Sequence, residues 1–342
     1  MKKSALIIGA GGQDGAYLAQ FLLQKDYKVY CGVRRTASAD HWRFRHLGIE
    51  RDVELVYLEL AEESNVARLV SRIQVDEIYN LAAQSYVGTS FEQAIYTAEI
   101  DAVGVCRILE AIRNYSAHTR FYQASTSEMY GKVMEVPQSE TTPFYPRSPY
   151  GVAKLYGHWI TRNYREAYNM FACSGILFNH ESPLRGPEFV TRKAVIGLAS
   201  IRLGRMEILN LGNLDAKRDW GFAGDYVVGM WLMLNAQEAD DYVLATGHTR
   251  SVREFLNAAA TCLDFELEWH GSGESEVGTD RKTGKTVVAV DAAFYRPAEV
   301  DLLVGDATKA HQKLGWKPQT SFDQLVSMMV EAEVARLTGP HA

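Results

Sequence analysis

Three features of this 342-residue sequence predict an α/β fold whose main body is a doubly wound parallel sheet. A short apolar run over 4–8 meets a glycine turn at Gly9, Gly12 and Gly15, after which Leu18, Phe21 and Leu22 recur at helical spacing. Short apolar runs and helical stretches then alternate to about residue 124, the pattern of a parallel sheet covered on both faces. Beyond residue 178 the alternation loosens and scattered basic residues become frequent, marking a smaller C-terminal α/β lobe. The expected division is a Rossmann-type body over 1–178, to which later segments can return, and a mainly substrate-binding lobe over 179–342.

The composition, 47 % hydrophobic and 23 % charged, is that of a folded chain with material for a full core and a second lobe. A net charge of −6 provides no field to gather nucleic acid or an anionic membrane, so a phosphate-bearing ligand must be held by local groups. Cys31, Cys106, Cys173 and Cys262 lie far apart, without Cys-x-x-Cys spacing or clustered histidines. That speaks against a metal site and against a disulfide framework, and buried reduced thiols are expected. Lys2 and Lys3 precede an apolar run that stops at Gly9, too short for a signal peptide, and no later stretch approaches the ~18 apolar residues of a membrane span. A cytoplasmic compartment with neither a membrane nor a nucleic-acid partner follows as the expectation.

Element by element, the glycines of the first turn let the backbone approach a diphosphate, whose charge meets the free N–H groups and dipole of the following helix. The next strand, 28–33, ends in Arg34 and Arg35, where an NAD-binding chain usually carries an acid for the ribose hydroxyls. Two guanidiniums suit a 2′-phosphate, so NADP is expected over NAD. Residues 36–50, with His41, Arg43, Arg45 and His46, show no clear period and read as a polar surface loop; an excursion to a neighbouring subunit's cofactor is the other reading. Strand 53–58, helix 64–73, strand 77–81, helix 96–113 and strand 120–124 follow.

Ligands in such sheets bind beyond the carboxyl ends of the strands. Those ends carry Glu59 and Leu60, residues 81–85, and Ser125, Thr126, Ser127 and Glu128. Ser148 and Pro149 then open a helix as cap and first residue. In its first turns stand Tyr150 and Lys154, the only tyrosine–lysine pair at this spacing among 18 tyrosines. Four residues of helix place phenol and ammonium on one face, roughly 6 Å apart. A fixed cation there favours the phenolate and moves a pKa near ~10 toward the working pH.

A strand over 172–178 leads to Asn179, His180 and Arg185. Arg192, Lys193, Lys217, Arg218, Arg253 and Arg296 are read as lining the second lobe, where an anionic diphosphate ligand needs guanidiniums. Residues 274–286, rich in glycine and charge, read as an exposed loop, and 321–337 as a packing helix with Leu325, Met328, Met329 and Ala332.

Together, Gly9, Gly12 and Gly15, Thr126, and Tyr150 with Lys154 resemble the extended short-chain dehydrogenase/reductase family. Longer runs over 121–131, 143–154, 175–183, 211–221 and 295–301 are similar to its GDP-mannose 4,6-dehydratase branch. By that resemblance Gly9, Gly12, Gln13, Asp14, Gly15, Arg34, Arg35, Leu81, Ala82, Ala83, Gln84, Ser85, Tyr96, Tyr150, Lys154, His180 and Arg185 fall at cofactor positions, with Glu59 and Leu60 at the third strand's tip. Ser85, Thr126, Glu128, Asn179, Lys193, Arg218, Arg253, Arg296 and Glu299 fall where the family holds a GDP-sugar. Two departures stand out: Gly11 replaces a customary threonine in the turn, and Glu59 a customary aspartate.

The resemblance implies a redox-neutral elimination that turns GDP-D-mannose into GDP-4-dehydro-6-deoxy-D-mannose, in a homo-oligomer of two or four subunits. Thr126, Glu128, Tyr150 and Lys154 would be catalytic, with Glu128 the second base that a simple reductase or epimerase does not need. Three other readings stay open: a reductase or epimerase of the same family, the same elimination on a GDP-manno-heptose, and a nucleotide sensor that keeps the fold without catalysis.

Overall fold

A computed structural model describes residues 2–37, 40–295 and 302–339. Seven strands form one parallel sheet in the spatial order Tyr242–Leu244, Ala172–Leu177, Arg120–Thr126, Glu77–Asn80, Ser4–Ile8, Lys28–Val33, Glu54–Tyr57. The order runs outward in both directions from the first strand, as the expected doubly wound sheet requires. The first strand shows the cause: Ala5 and Ile7 enter one core while Leu6 and Ile8 enter the other, as a period of two dictates. Helices Gln13–Gln24 and Ala223–Leu234 cover the first face through Leu18, Leu22, Tyr226 and Met230. Helices Glu63–Ile73 and Gly104–Tyr115 cover the second through Val66, Leu69, Ile108 and Ile112. Burial of each such aliphatic side chain contributes roughly 1.5–3 kcal/mol. Ile108→Ala, at a position 0 % exposed, would cost about 2–5 kcal/mol.

Two differences from the sequence pattern bear on function. The fifth strand runs to Thr126 instead of ending at 124, which carries that hydroxyl to the sheet's carboxyl edge. The helix expected over 96–113 is Ala94–Ala98, a π-helical turn Glu99–Val103, and Gly104–Tyr115 in succession. The wide turn brings Asp101 inward, where it is 1 % exposed.

The remaining strands form two small sheets. One joins Thr249–Ser251, Lys217–Phe222 and Asn179–Glu181; the other joins Leu267–His270, Val277–Asp280, Thr286–Val290 and Leu209–Leu211. They share a core with Leu198, Phe255, Leu256, Val288, Leu325 and Met329. The last two belong to helix Phe322–Thr338, opened by a reciprocal capping box between Ser321 and Gln324.

Four expectations are corrected. Residues 274–286 are an exposed loop only in part: 281–285 form the exposed turn of the Val277–Asp280 and Thr286–Val290 hairpin, in which Asp280 is buried and accepts bonds from the N–H of Glu266 and the hydroxyl of Thr283. Charge alternation there encodes a turn bracket, not solvation. Residues 40–50 include the helix Trp42–His46, tied down by buried Phe44 and Ile49. Of the four thiols, only Cys31 and Cys173 are buried; Cys106 is half-buried and Cys262 exposed. Arg192 is buried in an ion pair with Glu333 and donates to the carbonyl of Pro183, so it braces the lobe and does not line a cavity.

Candidate active site

At the carboxyl edge of the large sheet a cavity of about 200 Å³ runs from the glycine turn to the Tyr150 helix. Gly9, Gly12, Gln13, Asp14, Gly15, Leu81, Ala83 and Ser85 line one end, and Thr126, Glu128, Tyr150 and Lys154 the other. The glycines are steric requirements: a Cβ on Gly9, whose φ is +83°, would sit 2.7 Å from Ala82 Cα, and one on Gly15 only 2.5 Å from Ala10 Cα. With the backbone this close, the helix can begin directly against the turn. The N–H groups of Gln13, Asp14 and Gly15, in its first turn, make no backbone bond among the described residues, so they remain to meet an anion. The free N–H donors at the helix start suit a diphosphate at the turn, the arrangement a dinucleotide needs.

Helix Pro149–Tyr168 starts as its sequence prescribes. Proline occupies the first position and the Ser148 hydroxyl accepts from Gly151 N–H at 3.0 Å. Gly151 is small because the helix start packs on Glu128: a Cβ there would lie 2.8 Å from the Glu128 carbonyl. One turn apart, Lys154 Nζ stands 5.9 Å from the centroid of the Tyr150 ring, and both residues are buried. The Thr126 hydroxyl accepts from Glu128 N–H, so the strand end itself orders the loop carrying the carboxylate.

The expected activation of the phenol needs correction. Burial pushes Tyr150 well above its ordinary value, the charge of Asp101 adds to this, and the hydrogen bond to Thr126 opposes it. Lys154 Nζ donates to the Ala124 carbonyl at 2.8 Å, and burial lowers its own pKa against the pull of Asp101 and Asp14. Asp101 is itself pushed up to about 6 by burial, with Lys154 and the Gln84 N–H acting the other way. Desolvation therefore dominates at the Tyr150 hydroxyl and favours the protonated phenol over the phenolate.

A second cavity, about 790 Å³, continues from the first and shares Tyr86, Glu128, Asn179, Arg185 and Phe189 with it. Tyr86 and Phe189 meet edge to face at 5.9 Å and form the waist. Arg218 and Trp220, two apart on one strand, share a face and line this chamber with Lys193, whose ammonium lies over the Phe294 ring. Asn179 Oδ1 is buried without a hydrogen-bond partner among the described residues, the condition of an atom awaiting a ligand donor.

His180 Nδ1 lies 2.7 Å from the Phe178 carbonyl and Nε2 2.8 Å from Asp14 Oδ2, while its ring stacks on Tyr226. Burial works against its charge, but Asp14 prevails and holds the imidazole above its ordinary value. Arg185 pairs with Glu181 at 3.1 Å and stacks on Phe189.

Other sequence-selected residues lie around these chambers. Arg34, exposed at its strand's end, donates to the Tyr96 hydroxyl at 2.6 Å, and Arg35 is exposed beside it. Glu59 and Leu60 cap the neighbouring strand, where Glu59 N–H donates to Asn65 and the Leu60 carbonyl accepts from Arg107. Ala82 backs the turn, and Gln84 N–H is held by Asp101 at 2.7 Å. Arg253 does not reach the chamber wall, being bound in bidentate fashion to Glu276 and paired with Asp215. Lys217 is exposed outside it, and Arg296 and Glu299 lie outside the described residues. Sequence reading missed Tyr86, Phe189 and Asp101. The two aromatics carry no motif, but an acid inside the apolar stretch 100–103 is a usable signal.

A family model described as GDP-mannose 4,6 dehydratase matches residues 6–329. The GDP-mannose 4,6 dehydratase of Cricetulus griseus is 53 % identical over 350 residues, covering 100 % of this chain and 94 % of that protein. The GDP-mannose 4,6-dehydratase of Sinorhizobium fredii (strain HH103) is 54 % identical over 345 residues, covering 99 % and 98 %. Among solved structures, a dTDP-glucose 4,6-dehydratase from Streptomyces venezuelae with NAD and TYD bound superimposes with a TM-score of 0.80 at 21 % identity, covering 98 % of this chain and 97 % of that one. RMD from Pseudomonas aeruginosa, complexed with NADPH, gives 0.75 at 20 % identity over 98 % and 100 %. These last two likenesses establish the fold.

Proposed function

Because this chain belongs to the GDP-mannose 4,6-dehydratase family, we propose that it converts GDP-D-mannose to GDP-4-dehydro-6-deoxy-D-mannose with NADP, as a hydro-lyase. One observation carries the reading: Thr126, Glu128, Tyr150 and Lys154 line a single cavity that begins at a diphosphate-sized turn, and Glu128 also faces the larger chamber. Exposed Arg34 and Arg35 at the second strand's end support NADP, since guanidiniums match a 2′-phosphate.

A bound nicotinamide supplies a hydride acceptor that later returns the hydride, so the net reaction is loss of water. Tyr150 would take the proton of the sugar's 4-hydroxyl as phenolate, a form that the positive charge of a bound oxidised nicotinamide would favour against burial, and the Thr126 hydroxyl would hold the oxygen as charge develops. The 4-ketone acidifies the hydrogen on carbon 5. Glu128 would remove that proton and return it to the departing 6-hydroxyl, breaking the C6–O bond as water leaves; when carbon 6 regains the hydride, the proton held by Tyr150 would pass to carbon 5 and close the balance. Lys154, beside the Tyr150 ring, fixes the strand end by donating to the Ala124 carbonyl. Lys193 and Arg218, which line the larger chamber, would hold the GDP diphosphate, and Asn179, whose Oδ1 is unpartnered among the described residues, a sugar hydroxyl.

Mass spectrometry of GDP-mannose incubated with the purified protein and no added reductant tests this. Loss of one water (~18 Da) without net NADPH use is expected from a recycling cofactor. Stoichiometric NADPH consumption, or a product of unchanged mass, overturns it.

A further inference from the structure

We propose that Arg43 is a positioning residue for the dinucleotide, clasping the diphosphate turn to the segment that separates the two chambers. Its guanidinium donates from Nη1 to the Gly11 carbonyl at 3.0 Å and from Nε to the Leu184 carbonyl at 2.8 Å. The first acceptor belongs to the turn itself; the second immediately precedes Arg185, which lines both cavities. The side chain is delivered by the short helix Trp42–His46, whose Phe44 is buried, and the guanidinium lies over the Trp42 ring at 4.6 Å.

The physical need arises from the turn's composition. Gly9, Gly11 and Gly12 fall within four positions, so the backbone that must hold a diphosphate has unusual freedom to lose on binding. Arg43 removes much of it beforehand. The peptide between Gly11 and Gly12 is held at both ends: its carbonyl accepts from Arg43, and its N–H donates to the Gly9 carbonyl at 3.1 Å. Two carbonyls on separate loops are bound by two nitrogens of one planar fork, which a lysine cannot reproduce. Arg45, on the same helix, pairs only with Asp40 and Glu50 at the surface and serves as the internal contrast.

The inference rests on the dinucleotide reading of the smaller cavity, and its test separates the two. NADPH affinity is measured by fluorescence titration for the wild type, Arg43→Gln, Arg43→Lys and Arg45→Gln, with thermal melting of each ligand-free protein. Arg43→Gln should bind NADPH about tenfold more weakly, the scale of a charge-assisted bond. Arg43→Lys should fall between, and Arg45→Gln should match the wild type. Turnover at saturating cofactor and the KM for the GDP-sugar should stay within about twofold, since neither the reacting groups nor the larger chamber changes. Adding Gly11→Ala to Arg43→Gln should recover part of the affinity, because a Cβ there meets nothing closer than Val33 Cγ1 at 4.0 Å and stiffens the turn. Unchanged NADPH affinity in Arg43→Gln overturns the proposal, as does an equal loss of GDP-sugar affinity, the mark of general loosening. If Arg43→Gln does not fold, Arg43→Lys carries the same comparison. Failure of the wild type to bind either NADPH or NADH overturns the dinucleotide reading itself, and the proposal with it.

Discussion

Asp14 Oδ2 lies 2.8 Å from His180 Nε2, bridging 166 positions of sequence and fastening the glycine turn to the strand that begins at Asn179. Burial disfavours both charges, but the partner wins in each case: His180 is held above its ordinary 6.5 and Asp14 below its ordinary 3.8. The stabilisation due to the raised imidazole is full below pH 6.5 and fades as pH rises through its folded value. That due to Asp14 is present above pH 3.8 and fades only in acid. His180→Gln should therefore cost about 1.5–3 kcal/mol of stability near pH 6 and less at pH 9. Denaturant unfolding of both proteins across that range checks this; a gap independent of pH rules out a charged His180.

Glu128 shares a strand end with Thr126 and opens onto both chambers. Glu128→Gln keeps the shape but cannot take the carbon 5 proton, so turnover should fall by ~10²-fold or more while both ligands still bind. Solvent-deuterium incorporation at carbon 5 should fall in step. Turnover near that of the wild type removes Glu128 from the role of base.

Asp101 is the acid beside the buried pair Tyr150 and Lys154. Because its carboxyl is raised to about 6, mainly by burial, the neutral acid is the form the fold prefers. Its contribution to stability is complete below pH 3.8 and is lost as pH climbs through about 6. The stability of the wild type relative to Asp101→Asn should drop by about 2 kcal/mol between pH 4 and pH 8. A flat difference would sink this account of the π-helical turn.

Arg34 is held by the Tyr96 hydroxyl, and Arg35 stands beside it. Arg34→Ala should weaken NADPH binding by about tenfold or more and leave NADH binding nearly unchanged, because only the 2′-phosphate loses its partner. Competitive titration with the two cofactors is the measurement. Equal losses for both would move the guanidinium's role elsewhere.

Much of the site was readable where one element supplies the geometry. The Tyr150–Lys154 spacing is a property of helix pitch, and the Ser148–Pro149 start produced the capped helix that the residues specify. Glycine spacing similarly announced the turn, whose close approach to Ala82 requires the missing side chains. Arg192, Lys193 and Arg253 looked alike in sequence, yet only Lys193 reaches the chamber; the others are claimed by Glu333 and Glu276. Which acid an arginine meets depends on strands and helices distant in the chain, and no local pattern encodes it.

From sequence alone came the parallel sheet, the turn at its centre and the catalytic helix, because periodicity and capping act within a few residues and survive any packing. Tertiary structure decided the surroundings of those groups: a phenol whose protonated form burial and Asp101 favour, a histidine whose charged form Asp14 favours, and an arginine clasping Gly11 to Leu184. Desolvation and charge pairing depend on what the folded chain brings within a few ångströms, and that distance is set by the whole molecule.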